Sequence, residues 1–127
     1  MEGYNVTIKE SSQELTAKER IAIKDLTNAI KLENVADDDP NSLVIKPVAY
    51  AILSVHNEHS KDNTDYNVYV ITGDDGYRYK TGSDSFFDAF MNIWNEMENE
   101  NEDWSIQIFK RPSKNYDGKF FLTCAIV

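Results

Sequence analysis

Large apolar side chains recur at intervals of three and four residues between residues 83 and 97, which is the spacing of one helical face. Ser83 is a favourable N-cap, because its hydroxyl accepts a hydrogen bond from a free backbone N–H, and Asp84 suits the first turn. The segment predicts one amphipathic helix whose apolar face belongs to the core. That face carries Phe86, Phe87, Phe90, Met91, Trp94 and Met97.

Runs rich in β-branched and aromatic residues on both sides of this helix predict five strands. Upstream, "SLVIKPVAYAILSV" predicts a long strand in which Pro47 indicates an edge or bulged position, because proline has no N–H to donate. "YNVYVIT" and "YRYKT" predict a hairpin around the turn "GDDG". Downstream, "WSIQIFK" and "KFFLTCAIV" predict two strands joined by the basic connection "RPSKNYDG".

The N-terminal part of the chain has a weaker pattern. "YNVTIKE" alternates only partly, and the apolar positions between residues 14 and 32 have the mixed spacing of one or two short helices. "ADDDPNS" then ends the pattern, because a residue before proline disfavours the helical conformation. We therefore expect an N-terminal helical or irregular segment.

The predicted order is three strands, one helix and two strands, which is the order of the OB-fold, a five-stranded and partly open barrel. The sequence thus predicts a mainly β protein with α-helix, in the α+β class: a five-stranded OB-like barrel with a helix between strands 3 and 4. A chain of 127 residues fits a single domain. Within it we expect an N-terminal extension at residues 1–42 and the OB-like barrel at residues 43–127.

Composition favours a protein of the cytoplasm. The single cysteine, Cys124, has no partner for an internal disulfide and lies in the apolar run "FLTCAIV". The first ten residues lack the basic and apolar regions of a secretory signal. The apolar runs are also far shorter than the ~20 residues that span a bilayer. We therefore expect no membrane association.

Charge is distributed unevenly along this acidic chain, whose net charge is −9. Residues 84–103 hold seven carboxylates and no lysine or arginine, whereas the last nineteen residues hold four cations against the carboxylate of Asp117. A local field decides how a polyanion is attracted, so the cationic end predicts a polyanion site. An ordinary solvated hairpin is the alternative, since its Asn, Asp and Gly suit turn geometry.

In an OB-fold, oligonucleotides lie across strands 2 and 3 and between two loops, and single-strand binders also use flat rings for stacking. Alternation puts Tyr77 and Tyr79 on one face of strand 3 and Arg78 and Lys80 on the other. Outward tyrosines would stack on bases, and inward ones would leave the cations for phosphates; tyrosines also simply favour strands. The candidate nucleic-acid-binding residues are Lys61, Tyr69, Tyr77, Arg78, Tyr79, Lys80, Lys110, Arg111, Ser113, Lys114, Asn115, Tyr116 and Lys119.

Other chemistry has little support in the sequence. His56 and His59 stand near carboxylates, but without paired cysteines a polar solvated loop is favoured over a metal site. Cys124 lies mid-strand, where a thiol is normally inert. No acid–base pair or glycine-rich phosphate loop stands out, so we predict no enzyme, no catalytic or metal-binding residues and no cofactor.

The segments "DDG", "TGSDSFFDAFMNIW" and "SKNYDGKFFLTCAIV" together resemble small single-stranded DNA-binding proteins encoded by phages of Gram-positive bacteria. The resemblance covers residues 43–127 and is a pattern of apolar and turn positions. It implies an OB-fold that coats single-stranded DNA in phage replication or recombination, in the host cytoplasm. It points to Ser113, Lys114, Asn115 and Lys119 as binding residues. Implied partners are single-stranded DNA, replication or recombination proteins, and further copies of the chain.

An acidic interaction module is the alternative function. The net charge and the carboxylate-rich stretches would suit an inhibitor that imitates DNA and blocks a host nucleic-acid enzyme. Such a mimic has no need for the cluster of Lys110, Arg111, Lys114 and Lys119.

Overall fold

The computed structural model describes residues 4–39, 41–59, 64–112 and 120–127. Across these ranges the chain is mainly β with helices, as predicted, and none of the helices is long and apolar enough to cross a membrane. The elements in order are β1 (Tyr4–Ser11), α1 (Ala17–Lys24), a 3₁₀ turn (Leu26–Asn28), β2 (Ile30–Lys31), α2 (Leu32–Val35), β3 (Val44–Ile45), β4 (Pro47–Asn57), β5 (Asp65–Gly73), β6 (Arg78–Thr81), α3 (Asp84–Met97), β7 (Ile106–Pro112) and β8 (Phe120–Ile126).

The strands of the described residues form two sheets, with the orders β1-β4-β5-β6-β2 and β3-β7-β8. Neither sheet closes into a barrel, so the five-stranded OB barrel is not confirmed. The long upstream run is not one strand: it breaks at Lys46, and its two parts join different sheets. Pro47 is the first residue of β4, where a missing N–H is tolerated. The N-terminal segment adds β1, antiparallel to β4, and β2, parallel to β6.

The chain divides into two compact units that follow the sheets. The first unit comprises Met1–Lys31 and Val48–Gly82, and the second comprises Leu32–Pro47 and Ser83–Val127. The expected single domain, divided at residues 42 and 43, stays a prediction.

In the first unit, α1 and the 3₁₀ turn pack on one face of the five-stranded sheet. Helix α1 begins with a capping box, in which Thr16 accepts a hydrogen bond from the Glu19 N–H and the Glu19 carboxylate accepts one from the Thr16 N–H. Its buried Ile23 joins a cluster of sheet residues, and Leu26 of the 3₁₀ turn packs against it. The sheet residues of this core are Val6, Ala51, Leu53, Val55, Val68 and Val70.

In the second unit, α3 confirms the prediction of a capped amphipathic helix. The Ser83 hydroxyl accepts a hydrogen bond from the Phe86 N–H at 3.2 Å. Phe90 is fully buried, and its ring centroid lies 5.9 Å from that of Phe87 and 5.7 Å from that of Trp94. The helix packs against β8 and buries Phe86, Phe87 and Phe90, whereas the other members of the predicted apolar face, Met91, Trp94 and Met97, are half-buried.

Candidate nucleic-acid interface

The β5–β6 hairpin buries two of its three candidate tyrosines. Tyr69 and Tyr79 are each 7% exposed, so neither ring offers an open face for a base. The Tyr79 hydroxyl donates to Asp75 at 2.9 Å, and burial, together with this carboxylate, raises the pKa of Tyr79 to about 12. Tyr77 is 60% exposed, but it precedes β6, and its N–H donates to Asp75 in the turn. Tyr77 therefore belongs to the turn, and Tyr79 takes the inward position.

The cations of β6, Arg78 and Lys80, are half-buried, whereas the inward alternative for Tyr79 leaves them exposed for phosphates. The Lys80 ammonium donates to the Leu26 carbonyl at 2.7 Å, which ties β6 to the 3₁₀ turn. Hydrogen bonds from Thr27 lower the pKa of Asp25, and the nearby charge of Arg78 adds to this effect. Lys80 thus has a local structural role in addition to its charge, and Arg78 acts on Asp25 through its charge.

The β7–β8 hairpin is different, because its described end carries two exposed phenylalanine rings. Arg111 pairs with Phe121 and Pro112 with Phe120 in the antiparallel register, and directly paired residues share one face. Alternation therefore puts Phe120 on the face of Lys110 and Phe121 on the face of Arg111. Phe120 is 58% exposed and Phe121 is 38% exposed. Each face of the hairpin end thus combines one cation with one exposed ring.

Lys110 of β7 holds the segment that follows β2 through two hydrogen bonds. Its ammonium donates to the Glu33 carbonyl at 2.8 Å, and its backbone N–H donates to the Asp37 carbonyl at 2.7 Å. Hydrogen bonds from Ser42 and from the Asp39 N–H lower the pKa of Asp37, and the Lys110 charge contributes as well. An ammonium has three N–H donors, so the Glu33 carbonyl uses only part of its capacity.

Arg111 is exposed, and its guanidinium carbon lies 4.7 Å from the centroid of the buried Phe109 ring. This is a cation–π contact. The N–H donors of arginine lie in the guanidinium plane, where they match the oxygens of a phosphate. Arg111 is therefore the described residue of this hairpin best arranged for a phosphate contact.

A cavity of about 440 Å³ adjoins the exposed rings. Lys110, Phe120 and Leu122 line it from the hairpin, and Ser83 lines it from the start of α3. The Ser85 hydroxyl donates to the Leu122 carbonyl at 3.0 Å and so ties α3 to β8. A volume of this order lies within the range of small-molecule sites.

Several predicted binding residues lie outside the described residues, and their roles stay predictions. Phe120 and Phe121 were missing from the predicted site, although two adjacent aromatic residues in a strand necessarily place one ring on each face. The predicted residues outside the described ranges are Lys61, Ser113, Lys114, Asn115, Tyr116 and Lys119.

The structure also locates the other reactive side chains. His56 Nδ1 lies 2.8 Å from Asp65 Oδ1, and Nε2 lies 3.6 Å from Glu58 Oε1; these carboxylates, Asp65 first, raise the pKa of His56. Burial raises the pKa of the Cys124 thiol to about 12, which suppresses the reactive thiolate at neutral pH. Among the residues that the structure describes, no cluster of three or more His, Cys, Asp and Glu could hold a metal ion.

Comparison with known proteins finds no match among family models, curated proteins or solved structures. The resemblance to phage single-stranded DNA-binding proteins therefore stays a prediction from sequence. The features of the chain that bear on function are the geometry of the β7–β8 end and the charge of the segment that contains it.

Proposed function

We propose that the chain is a non-enzymatic single-stranded DNA-binding protein. Its contact with the strand is the hairpin interface, defined here as Lys110, Arg111, Phe120 and Phe121. The observation that carries the proposal is the exposure of two phenylalanine rings beside these two cations.

The rings supply stacking platforms. Contact between a phenylalanine ring and water is unfavourable in free energy. Apolar groups that are exposed together commonly mark a binding surface. Stacking a base on an aromatic side chain contributes about 1–3 kcal/mol, and every base has a flat face to offer. Two such rings support binding that tolerates different sequences. Bases in a duplex are already stacked on their neighbours, so the interface prefers a single strand.

The cations neutralise the backbone. Arg111 presents its N–H donors in the guanidinium plane, and the sequence adds Lys114 and Lys119 in the connection between β7 and β8. The last nineteen residues hold four cations and one carboxylate, a local charge of +3 in a chain of net charge −9. A phosphate backbone responds to the local field, so the total charge does not prevent binding.

An OB-like topology from β3 to β8 is part of the proposal. The strand order around α3 supports it, as does the run broken at Lys46, since small sandwiches and barrels turn corners where a strand bends from one sheet into another. A role in coating DNA during phage replication or recombination, in the cytoplasm of the host, follows from the resemblance of residues 43–127. Neither catalysis nor a cofactor belongs to this function.

An acidic inhibitor remains the second candidate, because the carboxylates between Glu96 and Asp103 are exposed. One of them is engaged, since the Lys46 ammonium lies 2.7 Å from Asp103 Oδ1. An inhibitor of this kind would bind a nucleic-acid enzyme and would not bind DNA.

Fluorescence anisotropy with a labelled oligomer of about 30 nucleotides at about 50 mM salt tests the proposal. We expect the single strand to bind and a duplex of the same length to bind much more weakly. The double variant Phe120→Ala/Phe121→Ala should lose most of the affinity. The matched control is Ile21→Ala, which truncates an exposed apolar side chain on α1 and should bind like the wild type. No binding by the wild type would favour the inhibitor.

A further inference from the structure

A second groove lies within the first unit and has no assigned role. Its volume is about 380 Å³, and its walls come from the 3₁₀ turn, β2, β5 and β6. Lys31, Tyr66 and Lys80 provide its charged and aromatic side chains. Leu26 and Val68 provide apolar surface. The N-terminal segment therefore builds one side of this groove.

The three polar side chains share one face of the five-stranded sheet. Lys31 and Lys80 are direct partners in the parallel β2–β6 ladder, so their side chains stand side by side. Val70 is the antiparallel partner of Lys80, and Tyr66 lies four residues before Val70 along β5. Because strand side chains alternate with a period of two, Tyr66 projects to the same side as both lysines.

The two ammonium groups form a locally cationic site. Lys80 is half-buried and held by its hydrogen bond to the Leu26 carbonyl, while Lys31 is exposed. Like charges on neighbouring strands repel each other, and an anion between them relieves that repulsion. The carboxylate of Asp25 in the adjacent turn does not line the groove, and the nearby positive charge of Arg78 partly balances it. The groove thus favours an anion that both lysines can reach.

We propose that this groove binds a nucleotide, with its phosphate between Lys31 and Lys80 and its base against the ring of Tyr66. Tyr66 is 39% exposed, so the ring has an open surface for stacking. The volume lies in the range of small-ligand sites and suits one nucleotide. The nucleotide is either a free monophosphate or one residue of a single strand, since both present the same groups. This inference does not rest on the proposed function of the hairpin interface.

Heteronuclear NMR of the ¹⁵N-labelled protein tests the site directly. Thymidine monophosphate should shift the amide signals of Lys31, Tyr66 and Lys80. Thymidine should bind about tenfold more weakly, because it lacks the charge-assisted contacts of the phosphate. Shifts produced by a short thymidine oligomer, and not by the monophosphate, would assign the groove to a nucleotide within a strand. The proposal is overturned if neither ligand shifts these signals, or if inorganic phosphate binds as tightly as the monophosphate.

Variants separate this groove from the hairpin interface. Lys31→Ala should weaken binding of the monophosphate about tenfold, and Lys31→Arg should restore most of it, because it keeps the charge. The matched control Lys24→Ala removes an exposed lysine of α1 and should have no effect. The double variant Phe120→Ala/Phe121→Ala should bind the monophosphate like the wild type, whether or not it binds a long oligomer. Unchanged binding by Lys31→Ala, with its thermal melting also unchanged, overturns the proposal.

Discussion

The β5–β6 and β7–β8 hairpins combine similar residue types and use them differently. The first exposes Tyr66 at the start of β5 and Tyr77 in the turn but buries Tyr69 and Tyr79, whereas the second exposes Phe120 and Phe121. Tyr79 finds a partner for its hydroxyl in Asp75, which allows the ring to be buried without an unsatisfied polar group. Phenylalanine needs no such partner and is commonly buried, so the two exposed rings are the feature from which we infer a ligand.

The cations of the two hairpins differ as well. Lys80 and Lys110 each donate to a backbone carbonyl of a preceding segment, at Leu26 and Glu33 respectively. Arg111 instead lies over the Phe109 ring. Its N–H donors lie in the plane of its own guanidinium group. A basic residue in a strand can therefore hold two segments together by a hydrogen bond, bind a phosphate, or do both. Its charge alone does not distinguish these roles.

The largest effect on stability should come from truncating a buried ring in the second unit, which also holds the exposed rings of Phe120 and Phe121. Phe90→Ala removes a fully buried phenylalanine packed among other aromatic rings of α3 and should cost about 3–5 kcal/mol of unfolding free energy. Chemical denaturation measures this cost. Phe120→Ala is the matched comparison and should change stability little, because its ring is largely exposed. Equal losses in the two variants would break the distinction between core and interface.

The effects on binding should have the reverse order, so truncating an exposed ring should lower affinity for a single strand more than Phe90→Ala does. Phe121→Ala should weaken binding of a single strand by about 1–3 kcal/mol, the usual contribution of one stacked base. Anisotropy titrations of this variant and of Phe90→Ala, below its melting temperature, make the comparison. A Phe121→Ala protein with wild-type affinity would remove this ring from the interface.

Tyr79 provides the corresponding test in the other hairpin. Tyr79→Phe keeps the ring and removes the hydrogen bond to Asp75, so stability should fall by about 1 kcal/mol. Affinity for a single strand should not change, since the ring is buried. The two readouts are thermal melting and anisotropy. Weaker binding without a loss of stability would contradict the structural role assigned to Tyr79.

Arg111 tests the electrostatic part of the interface. Each phosphate contact on a single strand contributes about −0.7 to the slope of log affinity against log salt. Arg111→Ala should flatten this slope by that amount, whereas Lys18→Ala, which removes an exposed lysine of α1, should not change it. Titrations at four or more salt concentrations give the slopes. Parallel lines for Arg111→Ala and the wild type would exclude a phosphate contact.

The smallest effect concerns pH and involves His56 of β4 and Asp65 at the start of β5. The pKa of His56 is raised above its ordinary 6.5, so protonated His56 stabilises the fold below that pH, and the contribution is lost as pH rises through the folded-state pKa. The pKa of Asp65 is lowered below 3.8, so its contribution is lost as pH falls through the folded-state value. Melting temperatures measured from below pH 3.8 to above pH 6.5 should vary less in His56→Asn than in the wild type. An identical profile in that variant would show that the pair does not affect stability.

The parts of the fold set by neighbouring residues could be predicted from sequence. The cap at Ser83 and the apolar spacing after it specify α3. The turn of the β5–β6 hairpin follows from Gly76, whose φ of +87° lies in the left-handed region that glycine tolerates. Non-local pairing could not be predicted: β2 joins β6 across more than forty residues of chain and through only two residues.

The candidate site was predictable only in part for the same reason. Val68, Tyr69 and Val70 are all buried, so alternation along β5 could not decide which face is core. The clustered cations did indicate the β7–β8 end, where Arg111 lies exposed. Which aromatic rings stay open there depends on packing in the second unit, and the spacing of the sequence does not contain that information.

Photo-cross-linking reports contact between a ring and a base, so it tests whether Phe120 and Phe121 bind the single strand. A single strand substituted with iodouracil is irradiated in complex with the protein, and the digested adduct is located by mass spectrometry. Trypsin cleaves after Lys119, which releases residues 120–127 with both rings in one peptide. We expect adducts at Phe120 or Phe121. Adducts found only elsewhere in the chain, or none in a complex that binds the strand, would contradict this expectation.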